Sequence, residues 1–218
     1  MVLNINKPVG WTSFEVVEEV RRVAGTKRVG HGGTLDPFAE GVLLVCVGPA
    51  TKMVSSLMTL RKVYEGTLEL GLETDTLDVT GTVVRRLGLR NRPTKDEIEQ
   101  AMSRFVGEIE QMPPMFSAVK VGGRRLYQWA RAHQEVARKS RMVNVYRFAP
   151  TRIRLPFVEF VVECGKGTYV RSLVADLGAL LGCGAVLKTL RRTAVGPHCI
   201  EDALTLDQLQ RSHFYPVV

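Results

Sequence analysis

The sequence predicts an α+β fold: a mixed, largely antiparallel sheet flanked by helices. Three observations carry this. Several stretches alternate apolar and polar residues, as half-buried strands do. Two stretches place apolar residues at helical spacing directly behind capping signals. The strands come in runs rather than in strict alternation with helices, which argues against a doubly wound parallel sheet. With 218 residues and 45% hydrophobic content, the chain is long and apolar enough for one large domain with a real core.

The elements follow in order. Val2 to Ile5 is a short apolar strand. Thr12 and Glu15 form a capping box that opens a helix; Val16, Val17, Val20, Val23 and Ala24 share its apolar face, and Gly25 ends it. A glycine-rich stretch, RVGHGGTLDPFAEG, leads into the strand VLLVCV. From Val63 to Leu70, Tyr64, Gly66, Leu68 and Leu70 occupy one face of a strand, with Glu65, Thr67 and Glu69 opposite. A second capping box, Thr94 with Glu97, opens a helix bearing Ile98, Ala101, Met102 and Phe105. Pro113-Pro114 breaks the chain. Ser117 to Val121 reads as a strand, Gly122-Gly123 as a tight turn, and Leu126 to Ala132 as a short helix. Met142 to Ile153 and Phe157 to Cys164 are strands. The turn GKGTY precedes a helix from Val170 to Leu181, and a last helix covers Leu206 to Gln210.

Composition removes some classes of function. The longest purely apolar stretch, Val42 to Val47, is too short to cross a bilayer, and MVLNINKPVGWTS lacks the charged and apolar regions of a signal peptide. A soluble, cytoplasmic protein is expected. Cys46, Cys164, Cys183 and Cys199 form no C-x-x-C pair, and Cys183 with His198 and Cys199 matches no zinc spacing. Reduced thiols and no metal are therefore expected. The net charge of +8 is concentrated: Met112 to Arg154 holds ten Lys or Arg residues and one acid, Glu135. Such a segment favours a polyanionic partner over a merely solvated surface. Composition alone does not separate RNA from DNA or from an anionic membrane.

Among candidate chemical groups, Gly30-His31-Gly32-Gly33-Thr34-Leu35-Asp36-Pro37 is the most unusual stretch. Its glycines permit close backbone approach to a ligand, yet it lacks the Gly-Lys-Ser/Thr of a phosphate loop and follows a helix, not a strand. A plain turn, with Asp before Pro, fits it equally well. His31 reads either as a base or stacking partner or as a hydrogen-bonded structural histidine. Tyr64 is in phase with a core face. Arg171 starts a helix, where a cation opposes the dipole and calls for an anionic partner or an exposed site. Trp11 and Trp129 suit packing as well as stacking on bases.

Taken together, six stretches resemble the TruB family of pseudouridine synthases, in family order from Lys7 to Gly196. GHGGTLDPFAEGVL resembles the signature G-H-x-G-T-L-D-P-x-A-x-G-V-L, and NKPVGWTS resembles N-K-P-x-G-x-T-S. RKVYEGTLELGLETDTLDVTG is similar to the family's tyrosine motif and the D-x-x-G after it. PPMFSAVKVGGRRLYQWAR is similar to P-x-x-S-A-x-K-x-x-G-x-x-x-Y-x-x-A-R. CGKGTYVRSLVADLG resembles K-G-T-Y-[IV]-R-[ST], and LKTLRRTAVG resembles L-R-R-x-x-x-G.

The resemblance implies a pseudouridine synthase catalytic fold over residues 1–218 and a role for each matching residue. Asp36 falls at the catalytic aspartate. Tyr64 matches the tyrosine that packs on the target base and helps remove its C5 proton, and Arg171 the arginine that pairs with the aspartate. His31 matches a histidine contacting the RNA loop, Leu190 a pocket residue, and Lys7 a lysine supporting the site. Tyr169 shares the motif of Arg171. Arg124 and Arg125, in the basic segment, are candidates for gripping the RNA backbone. The implied reaction isomerises a uridine in the T loop of tRNA, the pseudouridine-55 reaction, on a flipped-out base and with no cofactor. The implied partner is the tRNA T arm, with no membrane and no metal, and the enzyme acts as a monomer.

The family usually continues into a small C-terminal RNA-binding domain of PUA type, and this sequence is expected to lack it. A guide-RNA-dependent relative shares the aspartate motif, but the continuation Ala39 to Leu43 favours the stand-alone bacterial type. An RNA-folding chaperone acting by binding alone is the alternative from another class.

Overall fold

The structure, a computed structural model, describes residues 1–89, 92–132 and 134–211. The final stretch of the predicted domain, up to Val218, lies outside them. Two compact units emerge, Met1–Glu65 with Leu190–Val218, and Gly66–Thr189. The chain passes from one to the other inside two strands, so each unit is described by itself.

The first unit opens with β1 (Val2–Lys7), α1 (Ser13–Ala24), β2 (Val29–His31) and β3 (Glu40–Val47). A 3-10 turn, Gly48–Met53, then leads through α2 (Val54–Thr59) into the start of β4 (Lys62–Leu70). The predicted capping box is present: Glu15 N donates to Thr12 Oγ1 at 3.1 Å, and Thr12 N donates to Glu15 Oε2 at 2.7 Å. Gly25 closes α1 at φ +61°, the left-handed conformation that a residue without Cβ adopts freely.

β1 and β2 both pair antiparallel with β3, Lys7 opposite Gly41 and His31 opposite Val45. The unbroken apolar run of β3 has a physical cause: both of its faces are buried. Leu43 and Val45 pack with Val16, Val17 and Val20 of α1, while Val42, Leu44 and Cys46 pack with Leu57 of α2.

The second unit takes up β4 from Gly66 and adds the hairpin of β5 (Leu72–Thr74) and β6 (Val83–Arg86). Next come α3 (Lys95–Ser103), β7 (Gly107–Gln111), and the two-residue strands β8 (Lys120–Val121) and β9 (Arg124–Arg125), followed by α4 (Leu126–Arg131). β10 (Arg141–Arg154), β11 (Phe157–Cys164), α5 (Val170–Leu180) and β12 (Ala185–Val195) complete it. Here β4, β11, β10 and β7 lie side by side, β10 being antiparallel to both β11 and β7. Phe148 and Phe160 meet edge-to-face at 5.5 Å in the core, and Phe105 approaches Phe148 at 6.5 Å.

The chain returns to the first unit within β12 and ends its described part with β13 (His198–Cys199) and α6 (Leu206–Arg211). β12 runs parallel to β3, with Arg191 opposite Glu40 and Arg192 opposite Gly41. The sheet is thus mixed but largely antiparallel, as predicted.

Two local expectations need correction. The strand expected from Ser117 is confined to Lys120–Val121, because Ser117 N turns back to Met115 O and Ser117 O accepts from Tyr127 N. Phe105 lies beyond the end of α3, in a closing turn where its N–H bonds Met102 O.

Candidate active site

Asp36 sits half-buried on the connection between β2 and β3, in a segment with no strand or helix. Side chains fix that segment instead. Ser13 Oγ donates to Leu35 O and accepts from Leu35 N, both at 2.9 Å. Ala39 N bonds Asp36 O at 3.1 Å, and Gly10 N bonds Pro37 O at 2.8 Å. The loop is therefore held on both sides of the aspartate.

Two buried cations adjoin it. Lys7 is fully buried and donates from Nζ to Pro8 O (2.8 Å), Trp11 O (2.6 Å) and Pro37 O (3.4 Å). Burial pushes its pKa down to about 8; the Asp36 carboxylate opposes that shift, and the Arg192 charge adds to it. Arg192 donates from Nε to Val42 O (2.6 Å), from one terminal nitrogen to Thr34 O (3.3 Å) and from the other to Gly33 O (3.2 Å). Its guanidinium carbon lies 5.9 Å from the centre of the Tyr64 ring. Tyr64 is buried, and so is Leu190. His31 accepts a bond from Gly33 N at Nδ1, 3.3 Å.

In the second unit, Arg171 lies in the first turn of α5 and is buried, not exposed. The anionic partner that its position calls for includes Asp78, at 3.6 Å, with both side chains 5% exposed. Arg171 also donates to Thr76 O (3.0 Å) and Phe116 O (2.9 Å). Asp78 Oδ1 accepts from the Thr80 amide and the Thr76 hydroxyl, each at 2.9 Å, which fixes the carboxylate from its other side.

Tyr169, the N-cap of α5, is clasped by Gln111: its N–H donates to Oε1 at 2.7 Å and its carbonyl accepts from Nε2 at 3.1 Å. The Arg141 guanidinium lies 4.8 Å from the centre of the Tyr169 ring. Arg124 and Arg125 are exposed on β9, and Arg124 stands 5.1 Å over the ring of Trp129.

The first unit thus brings Lys7, Asp36 and Tyr64 into one network, with Arg192 joining them, while the second carries Arg171 and Tyr169. Sequence reasoning did not single out Arg192, Asp78 or Gln111. The first two stand inside the R-R-x-x-x-G and D-x-x-G patterns, whereas Gln111 leaves no local signal. Among the described residues, no group of three His, Cys, Asp or Glu side chains could hold a metal ion.

A carboxylate beside a buried lysine, on a loop that Ser13 and Arg192 tether, suits electrostatic or nucleophilic chemistry on a bound substrate. Comparison with known proteins defines the class. The chain matches the TruB family pseudouridylate synthase N-terminal domain over residues 21–170, and the tRNA pseudouridylate synthase B C-terminal domain over residues 171–216. It belongs to the TruB family of pseudouridylate synthases.

Among its relatives is the tRNA pseudouridine synthase B of Clostridium kluyveri, 48% identical over 208 residues, covering 95% of this chain and 71% of the relative. That of Lactococcus lactis subsp. cremoris strain SK11 is 43% identical, covering 96% of this chain and 66% of the relative. Among solved structures, a Cbf5-Nop10-Gar1 complex aligns with a TM-score of 0.74 and 35% identity. An H/ACA RNP bound to a substrate RNA containing 2'-deoxyuridine aligns with a TM-score of 0.69 and 31% identity. The chain spans 52% and 51% of the lengths of those two solved chains.

Proposed function

We propose that this chain converts a uridine in the T loop of tRNA to pseudouridine, with Asp36 as the catalytic carboxylate. The observation that carries the reading is Asp36 itself: it lies on a loop tied down at Leu35 and Pro37, beside the buried Lys7 ammonium, in a chain of the TruB family. The reaction breaks the C1′–N1 glycosidic bond, turns the uracil over and joins C1′ to C5. The C5 proton leaves, and N1 gains one from solvent. Atoms balance without oxidation, hydrolysis or a second substrate, so the reading needs no cofactor and no metal.

An ionised carboxylate either attacks the substrate or stabilises positive charge on the ribose. In this reading Tyr64 packs on the extruded base, Leu190 lines its pocket and His31 contacts the RNA loop. Arg171 and Tyr169 are assigned to the same reaction through the resemblance of their motif. The curated relatives named tRNA pseudouridine synthase B reach 48% identity, against 35% for the Cbf5 complex, which favours a stand-alone enzyme over a member of a ribonucleoprotein. A monomer working in the cytoplasm fits this reading, and no helix among the described residues is long and apolar enough to cross a membrane.

The test is tritium release from a tRNA transcript labelled at uridine C5, with neither cofactor nor metal added. The wild-type chain should release tritium. Asp36→Asn should release none while binding the transcript with affinity close to wild type. Silence from the wild type would sink the enzymatic reading, and activity in Asp36→Asn would move catalysis to another residue.

A further inference from the structure

Arg192 is 2% exposed, and its neighbour Arg191 is half-exposed with Nε 3.8 Å from Glu40. Successive residues of a strand point to opposite faces, so the pair divides into one outward and one inward cation. An inward cation is costly to bury unless its hydrogen bonds are satisfied. Here three backbone carbonyls do that, and their places in the chain are informative. Gly33 and Thr34 come just before Asp36, and Val42 lies on β3 just after it. One planar guanidinium therefore joins the two ends of the segment that presents the carboxylate.

The fit is close. A Cβ added at Gly41 would strike the Arg192 carbonyl oxygen, so β12 reaches this depth only beside a glycine. Gly41 also holds φ +108°, a conformation that residues with side chains rarely adopt. The same guanidinium lies 5.9 Å from the centre of the Tyr64 ring, so it also bears on the residue that the proposed function packs against the base.

We propose that Arg192 is a positioning residue for Asp36, its buried fork of hydrogen bonds setting the backbone from which the carboxylate meets the substrate. The assignment rests on the functional reading given above. Lysine cannot replace this function: its ammonium keeps the charge, but its donors share one nitrogen, whereas the planar guanidinium spreads them over three to span Gly33, Thr34 and Val42. Displacing a reacting group by about 1 Å costs roughly a hundredfold in rate.

The experiment compares wild type with Arg192→Lys by three measurements: single-turnover tritium release, transcript affinity, and hydrogen exchange at the Leu35 and Ala39 amides. The Leu35 amide is bonded to Ser13 Oγ at the start of α1, and the Ala39 amide to Asp36 O within the loop. The variant should fold, bind the transcript within about threefold of wild type, and turn over roughly a hundredfold more slowly. Exchange at the two amides should quicken at least about tenfold, with that of α1 unchanged. Turnover within about threefold of wild type would overturn the assignment, as would a variant that no longer folds, since Arg192 would then serve the stability of the unit. If the wild type itself releases no tritium, the functional reading fails, and the loop amides decide the point alone. Unchanged exchange there would overturn the positioning role, and selective quickening would support it.

Discussion

Lys7 carries its charge where burial opposes it, and the cost is offset by three carbonyl acceptors and by the Asp36 carboxylate. Its pKa of about 8 sets a testable limb. The protonated form is the one that gives Pro37 O a donor and Asp36 a cation. Turnover should therefore fall as pH rises through about 8. Lys7→Met should remove this limb and leave a slower, flatter profile; a limb retained in the variant would belong to another group. The stability effect has the opposite sign. Because the folded-state pKa is depressed, the unfolded chain binds more protons between about 8 and 10.5. The contribution of Lys7 to stability should therefore rise across that window, as urea titrations of wild type and Lys7→Met would show. At this scale the sequence was legible wherever a residue type was itself unusual. Asp36 stood out in its glycine-rich setting and Arg171 at a helix start. Arg192 did not, because an inward-facing arginine looks the same in sequence as its outward-facing neighbour Arg191.

Elements were legible where a cap or a clean alternation marked them. Both capping boxes are formed, and loss of the first through Thr12→Ala should cost about 1 kcal/mol, read from the urea midpoint. The alternation from Val63 to Leu70 also holds, and Gly66 gives it a sharper test. A Cβ there would lie 2.7 Å from Thr189 O and 2.8 Å from Phe160 Cζ. The ring can turn aside, but the backbone carbonyl cannot. Gly66→Ala should therefore destabilise the fold by about 1–3 kcal/mol, and an unchanged midpoint would mean that the strands spread at little cost. β12 was not legible as a strand. Its pattern AVLKTLRRTAV buries Arg192 among apolar residues, so the cation that the structure turns inward breaks the alternation a reader looks for. β7 is short and largely exposed, and β2 has three residues, so neither carries a period. These strands are fixed by pairing with distant partners rather than by local preference.

The charge of the whole molecule bears on how it would hold RNA. Ten of its Lys and Arg residues lie between Met112 and Arg154, yet they are not equivalent. Arg138 donates to Pro113 O and Arg141 to Gly167 O, so these two serve internal structure. Arg152 lies 3.7 Å from Glu159, an exposed pair that weakens its claim on a phosphate. Arg124 and Arg125 are exposed on β9, with Trp129 beneath Arg124 and its indole N–H bonded to Val121 O. That arrangement holds a cation at the surface with little left to lose on binding. If both contact phosphates, the double change Arg124→Gln and Arg125→Gln should make the negative slope of log affinity against log salt shallower by roughly 1.5, at about 0.7–0.9 per contact. Affinity should fall for every transcript alike, since phosphate contacts carry no sequence information. The single-turnover rate at saturating RNA should stay near that of wild type, because neither arginine belongs to the Asp36 network. Arg138→Gln supplies the contrast: it should lower the urea midpoint and leave the salt slope unchanged. A salt slope unaltered by the double change would remove β9 from the RNA contact and shift the grip to the exposed cations of β10.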